Sequence, residues 1–331
     1  MAVINSTDLA QLNAICPGGV MQDVDLAALS WWRIGGYADL VLRPSSTEEI
    51  AALLRWFAAQ GIRPVVIGQT TNLLFDDAGL RVPCIQIGER MADVRLSGCD
   101  VTVQAGTWVP GLARRVMQVG LTGLEHICGI PGTLGGLVCM NGGSQRKGIG
   151  SHIVTVESVT PAGEMVIRTG AECEFSHRTS IFQSNAEVIT AALLQLDTGP
   201  RADIRATMCA ILADRRQKFP RKEPNCGSVF KSNPAMYAEI GPPGAVIERL
   251  GFKGRLQGDA QISPHHANFI VNTGRAQARD VLHLIRDISR AVERETGHLM
   301  EAEAIFVASD GRMVPADRVY EIHNTVRNID N

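Results

Sequence analysis

The sequence predicts an α+β fold with two domains. Its 331 residues exceed the roughly 150 that one domain typically takes, so two domains are expected. Segments with strand and helix patterns alternate up to Leu196, and after Pro200 amphipathic helical patterns dominate. We therefore predict a first domain over residues 1–200, a second over 201–308, and a tail over 309–331.

The first domain contains a well-delimited strand–helix–strand segment over residues 40–67. Ser46 to Glu49 has the capping-box pattern that begins helices, apolar residues then recur at helical spacing, and Gly61 ends the run. Residues 159–167 predict a β-hairpin, because a Pro-Ala-Gly-Glu turn separates two apolar runs. Residues 188–196 form a further apolar run that predicts a strand.

The second domain is predicted to contain two long helices. Residues 202–217 place apolar side chains on one helical face, and residues 278–297 do so over a longer stretch that ends at a glycine. Neighbouring apolar runs over 268–271 and 304–307 predict strands. Basic residues cluster over 215–222, after the first of these helices, and this cluster suits a diphosphate.

The composition excludes several classes of protein. The chain has 32 Lys and Arg against 34 Asp and Glu, a net charge of −2, so it lacks the basic excess of nucleic-acid-binding proteins. Its 45% hydrophobic content excludes a disordered chain. The first basic residue is Arg33, so no secretory signal is predicted, and the uncharged stretch 126–145 is too rich in glycine for a membrane helix. We expect a cytoplasmic monomer that contacts neither membrane nor nucleic acid.

The cysteines predict neither a metal site nor a disulfide framework. There are eight, none is spaced Cys-x-x-Cys, and no histidine cluster accompanies them. In a chain without a predicted secretory signal, we expect reduced and mostly buried thiols.

Glycine is abundant and concentrated in one region. Eight of the 33 glycines lie between Gly129 and Gly150, and four of these fall within Gly129–Gly136. We call residues 129–141 the glycine loop. A backbone without Cβ atoms can approach a flat or phosphorylated ligand closely, or it can serve only to make a tight loop. From the residues alone, both interpretations stay open.

A second candidate site is the turn after the strand that ends at Ile67, which we call the Gly68 turn. A glycine, two hydroxyls and an amide occur there, and such a turn can present backbone N–H groups to a phosphate. An ordinary polar turn is the alternative, because the spacing matches neither dinucleotide-binding nor P-loop motifs. The residues of the turn are Gly68, Gln69, Thr70, Thr71, Asn72 and Leu73.

Three further groups of polar residues suit an anionic substrate. Arg178 can clamp a carboxylate or phosphate, and Ser228, which follows a glycine, can act as a donor from an exposed turn. Glu301 and Glu303 precede a predicted strand, where a carboxyl can position a reacting group or move a proton. The alternatives are a surface arginine, a solvated helix end and a solvated strand edge.

In this order and spacing, the motifs resemble those of one family, the UDP-N-acetylenolpyruvoylglucosamine reductases. The resemblance extends from about Val24 to Val307, which is most of the chain. The motifs that carry it are Trp32–Gly36, Ile130–Gly136 with Asn141, Asn225–Lys231, Gly258–Ser263 with His266–Phe269, and Glu301–Glu303.

The resemblance implies a fold and two cofactors. The fold would be an FAD-binding domain of the vanillyl-alcohol oxidase (PCMH) type followed by an α/β substrate-binding domain. FAD would be held by the Gly68 turn, by Arg178 and by residues of the glycine loop, and NADPH would reduce it. The residues implied in the glycine loop are Ile130, Pro131, Gly132, Gly135, Gly136 and Asn141.

The same resemblance implies the reaction and the residues that perform it. UDP-N-acetylenolpyruvoylglucosamine would be reduced to UDP-N-acetylmuramate, a step of peptidoglycan synthesis, by hydride transfer from FAD to the enolpyruvyl C3 and protonation at C2. Ser228 matches the proton donor, and Arg178 and Glu303 match the residues that stabilise the intermediate. Lys218 and Asn233 fall where the family holds the UDP phosphates and nearby groups.

The sequence departs from the family pattern at several positions. No insertion lies between Ser180 and the next predicted strand, as in a short form of the family that lacks a tyrosine-bearing loop. The β-branched Thr70 occupies a position where a positive φ is expected, and His177 replaces the tyrosine that usually precedes the arginine. Two alternatives therefore stay open: a flavin reductase acting on a different enol ether or natural-product intermediate, and a catalytically silent nucleotide-sugar binding protein.

Overall fold

The computed structural model describes residues 4–220, 222–232 and 234–320. These residues form two compact units that interleave along the chain. The first comprises the residues up to Gln22, Leu40–Gln69 and Pro83–Gln217. The second comprises Asp23–Asp39, Thr70–Val82 and the residues from Lys218 onward. The predicted boundaries at 200 and 308 stay predictions, because those domains are defined by what they bind and these units by how the chain packs.

The described residues contain α-helices and short 3₁₀ helices. The α-helices are Ser6–Ile15 (α1), Leu26–Leu29 (α2), Thr47–Ala59 (α3), Val109–Gln118 (α4), Leu134–Cys139 (α5), Arg201–Lys218 (α6), Pro234–Ile240 (α7), Pro243–Arg249 (α8) and Ala278–Thr296 (α9). The 3₁₀ helices are Glu89–Met91, Glu125–Ile127, Ile149–His152, Ile181–Gln183 and Ala316–Arg318.

The strands of the described residues form five sheets. They are Val20–Asp25 (β1), Tyr37–Leu42 (β2), Val65–Ile67 (β3), Leu73–Phe75 (β4), Cys84–Gln86 (β5), Val94–Ser97 (β6), Asp100–Gln104 (β7), Leu121–Thr122 (β8), Ile153–Val159 (β9), Met165–Thr169 (β10), Val188–Gln195 (β11), Asp197–Thr198 (β12), Leu256–Gln257 (β13), Ala260–Ile262 (β14), Ile270–Asn272 (β15), Ile305–Val307 (β16) and Met313–Pro315 (β17). The strand orders are β1-β2-β5-β3, β10-β9-β11-β7-β6, β12-β8, β13-β14-β15 and β17-β16-β4.

The first unit contains the five-stranded antiparallel sheet and helix α3. The predicted hairpin is confirmed, because β10 pairs antiparallel with β9 and places Met165 opposite Val159. Helix α3 begins as predicted, with the Ser46 hydroxyl accepting from Glu49 N–H at 3.2 Å. The Glu49 carboxylate, however, bonds Ser45 N–H at 2.7 Å, so the reciprocal half of the capping box lies one residue earlier than the pattern indicates.

A partly buried ion pair stabilises one face of this sheet. Arg168 Nε and Ser158 Oγ donate to the carboxylate of Glu187 at 2.9 and 2.7 Å, and only 5% of the Glu187 side chain is exposed. The hydrogen bond from Arg168 is the largest of the causes that hold the pKa of Glu187 below its ordinary value.

A depressed carboxyl pKa stabilises the fold above the unfolded pKa of about 4.3, and this contribution is lost as the pH falls through the folded pKa. We therefore expect Glu187→Gln to lower the free energy of unfolding by about 1.5–3 kcal/mol at pH 7 and by less below pH ~4. Urea unfolding at both pH values measures this. Glu164→Gln, at an exposed acid in the β9–β10 hairpin that also carries Arg168, is the control; equal losses in the two variants would contradict the role of the pair.

The second unit packs around helix α9 and two three-stranded sheets. Helix α9 ends as predicted, with Gly297 in the left-handed conformation at φ 75°. Its apolar stripe is buried together with Trp32, whose indole N–H donates to Ile270 O at 2.7 Å. Strand β4 runs parallel to β16 and pairs Leu73 with Ile305. Residues from early in the chain thus complete the core formed by its last elements.

The cysteines and the helices of the structure can each be compared with what the sequence predicts. All eight cysteines are free thiols, and five of them are buried, as the sequence predicts. Within residues 4–220, 222–232 and 234–320, no helix combines the length and the apolar character needed to cross a bilayer.

Candidate active site

The beginning of the Gly68 turn lies against the glycine loop in the first unit. Strand β3 ends at Ile67, whose carbonyl accepts from Ile87 N–H at 2.8 Å. A methyl group in place of the Gly68 hydrogen would lie 2.5 Å from Thr133 Oγ1, closer than unbonded heavy atoms approach. Within the part of the chain that the structure describes, no backbone carbonyl accepts from the N–H groups of Gly68 or Gln69.

The glycine loop is partly helical, which corrects the interpretation of this region as a loop. Helix α5 begins at Leu134, and the Thr133 hydroxyl caps it by accepting from Gly136 N–H at 3.4 Å. Gly135 N–H donates to Ala105 O at 2.8 Å. The apolar residues of α5 are buried, and their packing outweighs the low helix propensity of two glycines.

Close packing also explains individual glycines of the loop. Gly132 has a φ of 133°, a conformation that favours glycine. A Cβ on Gly135 would lie 3.0 Å from the Cβ of Ala105, which is tighter than ordinary van der Waals contact. Ile130 N–H donates to Ile127 O at 3.0 Å and so fixes the entry to the loop, with Pro131 next along the chain.

Asn141 joins the glycine loop to the hairpin that carries Arg178, also within the first unit. Its Nδ2 donates to Ser176 O at 2.8 Å, and its Oδ1 accepts from Gly150 N–H at 3.0 Å. Ser176 and Thr179 exchange backbone hydrogen bonds, which leaves His177 and Arg178 at the tip of a tight turn. The structure therefore brings two predicted site residues, Asn141 and Arg178, to one end of α5.

The turn at Arg178 holds an unfavourable backbone conformation. Arg178 has a φ of 57°, which is uncommon for a residue other than glycine or asparagine. Gln183 Nε2 donates to Arg178 O and to Cys139 O, both at 3.0 Å, and Ser180 Oγ donates to Cys139 O at 2.6 Å. Such strain, maintained by surrounding hydrogen bonds, is typical of functional positions.

Arg215 is a further basic residue of this region, which the sequence placed only in a general basic cluster. It packs on the glycine loop, because a Cβ on Gly129 would lie 2.6 Å from Arg215 Cδ. Burial lowers the pKa of its guanidinium, and the positive charge of Arg178 lowers it further. Arg215 is therefore close enough for the charge of Arg178 to act on it, against the opposing charge of Asp214, and it adds a second guanidinium that can attract an anion to this region.

The second half of the Gly68 turn belongs to the second unit. Thr70 is buried and adopts the positive φ expected there, 56°, and its hydroxyl donates to Leu29 O at 2.8 Å. Leu73 N–H donates to Thr70 O at 3.2 Å. The Cys226 thiol donates to Leu73 O at 3.4 Å. The β-branched residue is thus accommodated by a hydrogen bond of its own.

Ser228 and Glu303 lie on paired backbone segments of the second unit. Val229 O, next to Ser228, accepts from Glu303 N–H at 2.7 Å. Phe230 forms an antiparallel bridge with Ala302. Asn72 completes this arrangement, because its Nδ2 donates to Glu303 O at 2.8 Å. The structure therefore brings together the hydroxyl-bearing, carboxyl-bearing and amide-bearing residues that the sequence singled out separately.

Two residues, Lys218 and Asn233, are predicted to bind the substrate. Lys218 is exposed at the end of α6, and Asn233 lies outside the described residues. Phe219, the next residue after Lys218, packs against the rings of His266 and Phe269 with centroid distances of 5.5 and 5.1 Å. These aromatic contacts fix the backbone that follows Lys218.

Comparison with known protein families assigns a domain to each half of the chain. Residues 38–169 match the model of an FAD-binding domain, and residues 219–307 match the C-terminal domain of UDP-N-acetylenolpyruvoylglucosamine reductase. The reductase 1 of this name from Corynebacterium glutamicum is 42% identical over 90% of this chain and 89% of its own length. The chain belongs to the UDP-N-acetylenolpyruvoylglucosamine reductase family.

Other members of the UDP-N-acetylenolpyruvoylglucosamine reductase family support the assignment over nearly full length. The protein of Heliobacterium modesticaldum is 34% identical over 95% of this chain and 99% of its own length. The crystal structure of the Thermus caldophilus reductase superposes with a TM-score of 0.73 at 30% identity, over 86% of this chain and 97% of that one. The fold class predicted from the sequence is therefore confirmed.

The first unit of this family member fits FAD. The Gly68 turn and the glycine loop approach each other too closely for a Cβ at Gly68. The N–H groups of Gly68 and Gln69 are available as donors to a phosphate, and the guanidiniums of Arg178 and Arg215 suit the charge of a diphosphate. These donors and this close approach are what a phosphorylated, planar ligand requires.

Proposed function

We propose that the chain reduces UDP-N-acetylenolpyruvoylglucosamine to UDP-N-acetylmuramate, with NADPH as the reductant. Relatives with 42% and 34% identity carry the name of this activity. The observation that carries the proposal is the 2.7 Å hydrogen bond between Glu303 N–H and Val229 O, because it sets a carboxyl-bearing residue and Ser228 on paired segments. This pairing places Ser228 next to the residue opposite Glu303, and a hydroxyl and a carboxyl are groups that can transfer a proton to a reacting carbon.

The reaction adds a hydride to C3 and a proton to C2 of an enol ether and converts NADPH to NADP⁺. Bound FAD would transfer the hydride between the two substrates. Addition at C3 leaves negative charge on C2 and on the adjacent carboxylate. A guanidinium binds a carboxylate through two charge-assisted hydrogen bonds, so we assign Arg178 to that charge.

Ser228 is assigned to protonation at C2. A serine hydroxyl is a weak acid, so it transfers its proton only to a strongly basic carbon and only in a polarising environment. Glu303 is assigned, with Arg178, to stabilising the charged intermediate. Lys218 and Asn233 are assigned to the UDP phosphates and the groups next to them.

The remaining assignments concern cofactor binding, domains and location. The Gly68 turn, the glycine loop and Arg178 are assigned to FAD. We assign residues 1–200 to the FAD-binding domain and 201–308 to the substrate-binding domain; the matched ranges 38–169 and 219–307 lie within these limits and support them. Eight free thiols support a reducing compartment, the cytoplasm, and we propose that the chain acts there as a monomer.

Three spectroscopic measurements test the function. The purified protein should show flavin absorbance near 450 nm, and NADPH should bleach it under anaerobic conditions. Addition of UDP-N-acetylenolpyruvoylglucosamine should restore the absorbance and yield UDP-N-acetylmuramate. A colourless protein that FAD does not reconstitute would indicate a binding protein. Flavin that NADPH reduces but the enolpyruvyl substrate does not reoxidise would indicate a different enol ether as the substrate.

A further inference from the structure

The backbone that follows Ser228 is held from one side by Asn268. The side chain of this residue makes two hydrogen bonds to the backbone of a single residue: Oδ1 accepts from Phe230 N–H, and Nδ2 donates to Phe230 O, both at 3.0 Å. Its backbone carbonyl also accepts from Val229 N–H at 2.9 Å. Asn268 is only 6% exposed, so water cannot readily replace these bonds.

Both backbone groups of Val229, the residue after Ser228, are hydrogen-bonded. Val229 donates its N–H to Asn268 and accepts at its carbonyl from Glu303 N–H at 2.7 Å. On the other side of Ser228, Gly227 has a φ of 79°, and its N–H donates to Asn225 Oδ1 at 3.0 Å. Ser228 therefore lies between a hydrogen-bonded turn and a hydrogen-bonded segment, so its backbone has little freedom to rotate and displace its hydroxyl.

Asn268 is itself oriented by the residues around it. Its own N–H donates to His266 Nδ1 at 3.2 Å, which requires the neutral ring, and burial lowers the pKa of His266 and favours that form. The rings of Phe219 and Phe269 pack against His266 with centroids 5.5 and 5.0 Å away. These ring contacts hold His266 in place and thereby support the hydrogen bonds of Asn268.

We propose that Asn268 is a positioning residue for the proton donor Ser228. This inference rests on the proposed function, because it assumes that Ser228 delivers a proton to the substrate. Asn268 acts through the backbone of Val229 and Phe230. Correct placement matters because a displacement of about 1 Å in a reacting group can reduce a rate by about 100-fold.

The variant Asn268→Asp tests the proposal with a nearly isosteric change. One carboxylate oxygen still accepts from Phe230 N–H, but the other faces Phe230 O without a hydrogen between them. We expect flavin reoxidation by UDP-N-acetylenolpyruvoylglucosamine to slow by about 10- to 100-fold, and flavin reduction by NADPH to change less than about twofold. Rates are measured per bound flavin, so unfolded protein does not contribute. Asn268→Ser is the second, uncharged variant if Asn268→Asp does not fold.

Asn272, four residues further along the chain and in strand β15, provides the matched control. It is 4% exposed, its Nδ2 donates to Trp32 O at 3.0 Å, and its Oδ1 accepts from Gly274 N–H at 2.9 Å. Asn272→Asp should therefore destabilise the fold in the same way without displacing Ser228. Equal slowing of reoxidation in Asn268→Asp and Asn272→Asp would overturn the proposal.

A double variant separates positioning from general destabilisation. If Asn268 acts through Ser228, Ser228→Ala/Asn268→Asp should reoxidise no more slowly than Ser228→Ala alone. If reoxidation in the double variant slows by the product of the two single-variant factors, the proposal is overturned. If Ser228→Ala reoxidises at the wild-type rate, the proton-donor assignment fails and the inference fails with it. If Asn268→Asp reoxidises at the wild-type rate while Ser228→Ala is slowed, this inference fails and the proposed function stands.

Discussion

Replacing Ser228 by alanine is expected to slow flavin reoxidation by the enolpyruvyl substrate by about 10²- to 10⁴-fold, the range typical of general acid catalysis. Reduction of the flavin by NADPH should stay within about twofold, because that half-reaction does not require a proton from Ser228. Anaerobic stopped-flow absorbance near 450 nm measures the two half-reactions separately. The backbone around Ser228 is fixed by Val229 and Gly227, so loss of the hydroxyl should leave the fold in place.

Ser232→Ala is the control for this experiment, because Ser232 is an exposed hydroxyl on the same segment. It should reoxidise at the wild-type rate. Equal slowing of both half-reactions in Ser228→Ala would contradict the proton-donor role and indicate a defect in flavin placement. A solvent isotope effect that is large in the wild type and lost in the variant would further identify the proton that Ser228 delivers.

Replacing Gly68 by alanine is expected to raise the dissociation constant of FAD at least about tenfold, equivalent to ~1.4 kcal/mol. The added methyl would lie 2.5 Å from Thr133 Oγ1, and this hydroxyl is held in place as the cap of α5. The turn and the glycine loop must therefore separate, which displaces the N–H groups proposed to bind phosphate. Flavin content after gel filtration and titration of apoprotein with FAD measure the effect.

Thr133→Ala supplies the suppressor for this prediction. It removes the clashing oxygen, so Gly68→Ala/Thr133→Ala should bind FAD more tightly than Gly68→Ala alone. Thr133→Ala by itself should lower the free energy of unfolding by about 1 kcal/mol through loss of the cap. Unchanged FAD affinity in Gly68→Ala would show that the turn can move freely and would contradict its proposed role.

Elements with strong periodicity could be predicted from the sequence alone. Helix α9 and strand β11 have almost the bounds that the pattern indicates, because α9 buries one apolar face and β11 is an apolar run that is buried along most of its length. Helix α5 was not predicted, since glycine has a low helix propensity and the packing that compensates for it comes from other elements. Segments Asp23–Asp39 and Thr70–Val82 give no local sign that they pack with the C-terminal elements.

For the candidate site, too, some features could be predicted from the sequence and others could not. The residue types at Arg178, Ser228 and Glu303 suggested their chemistry, and the resemblance to a family assigned their roles. The hydrogen bonds of Asn72 to Glu303 and of Asn268 to Phe230 join residues that are far apart in sequence. Such contacts depend on the register of strands and on the path of loops, which neither spacing nor propensity determines.

The pairing of β4 with β16 has a consequence for how the protein is made. Leu73 and Ile305 are partners in this ladder, so a segment synthesised early has no partner until nearly the whole chain has left the ribosome. Contacts of such high sequence separation form slowly and leave an apolar strand exposed in the meantime. The nascent chain therefore carries an unpaired edge through most of its synthesis, and chains that terminate before Ile305 should be targets for chaperones and proteases.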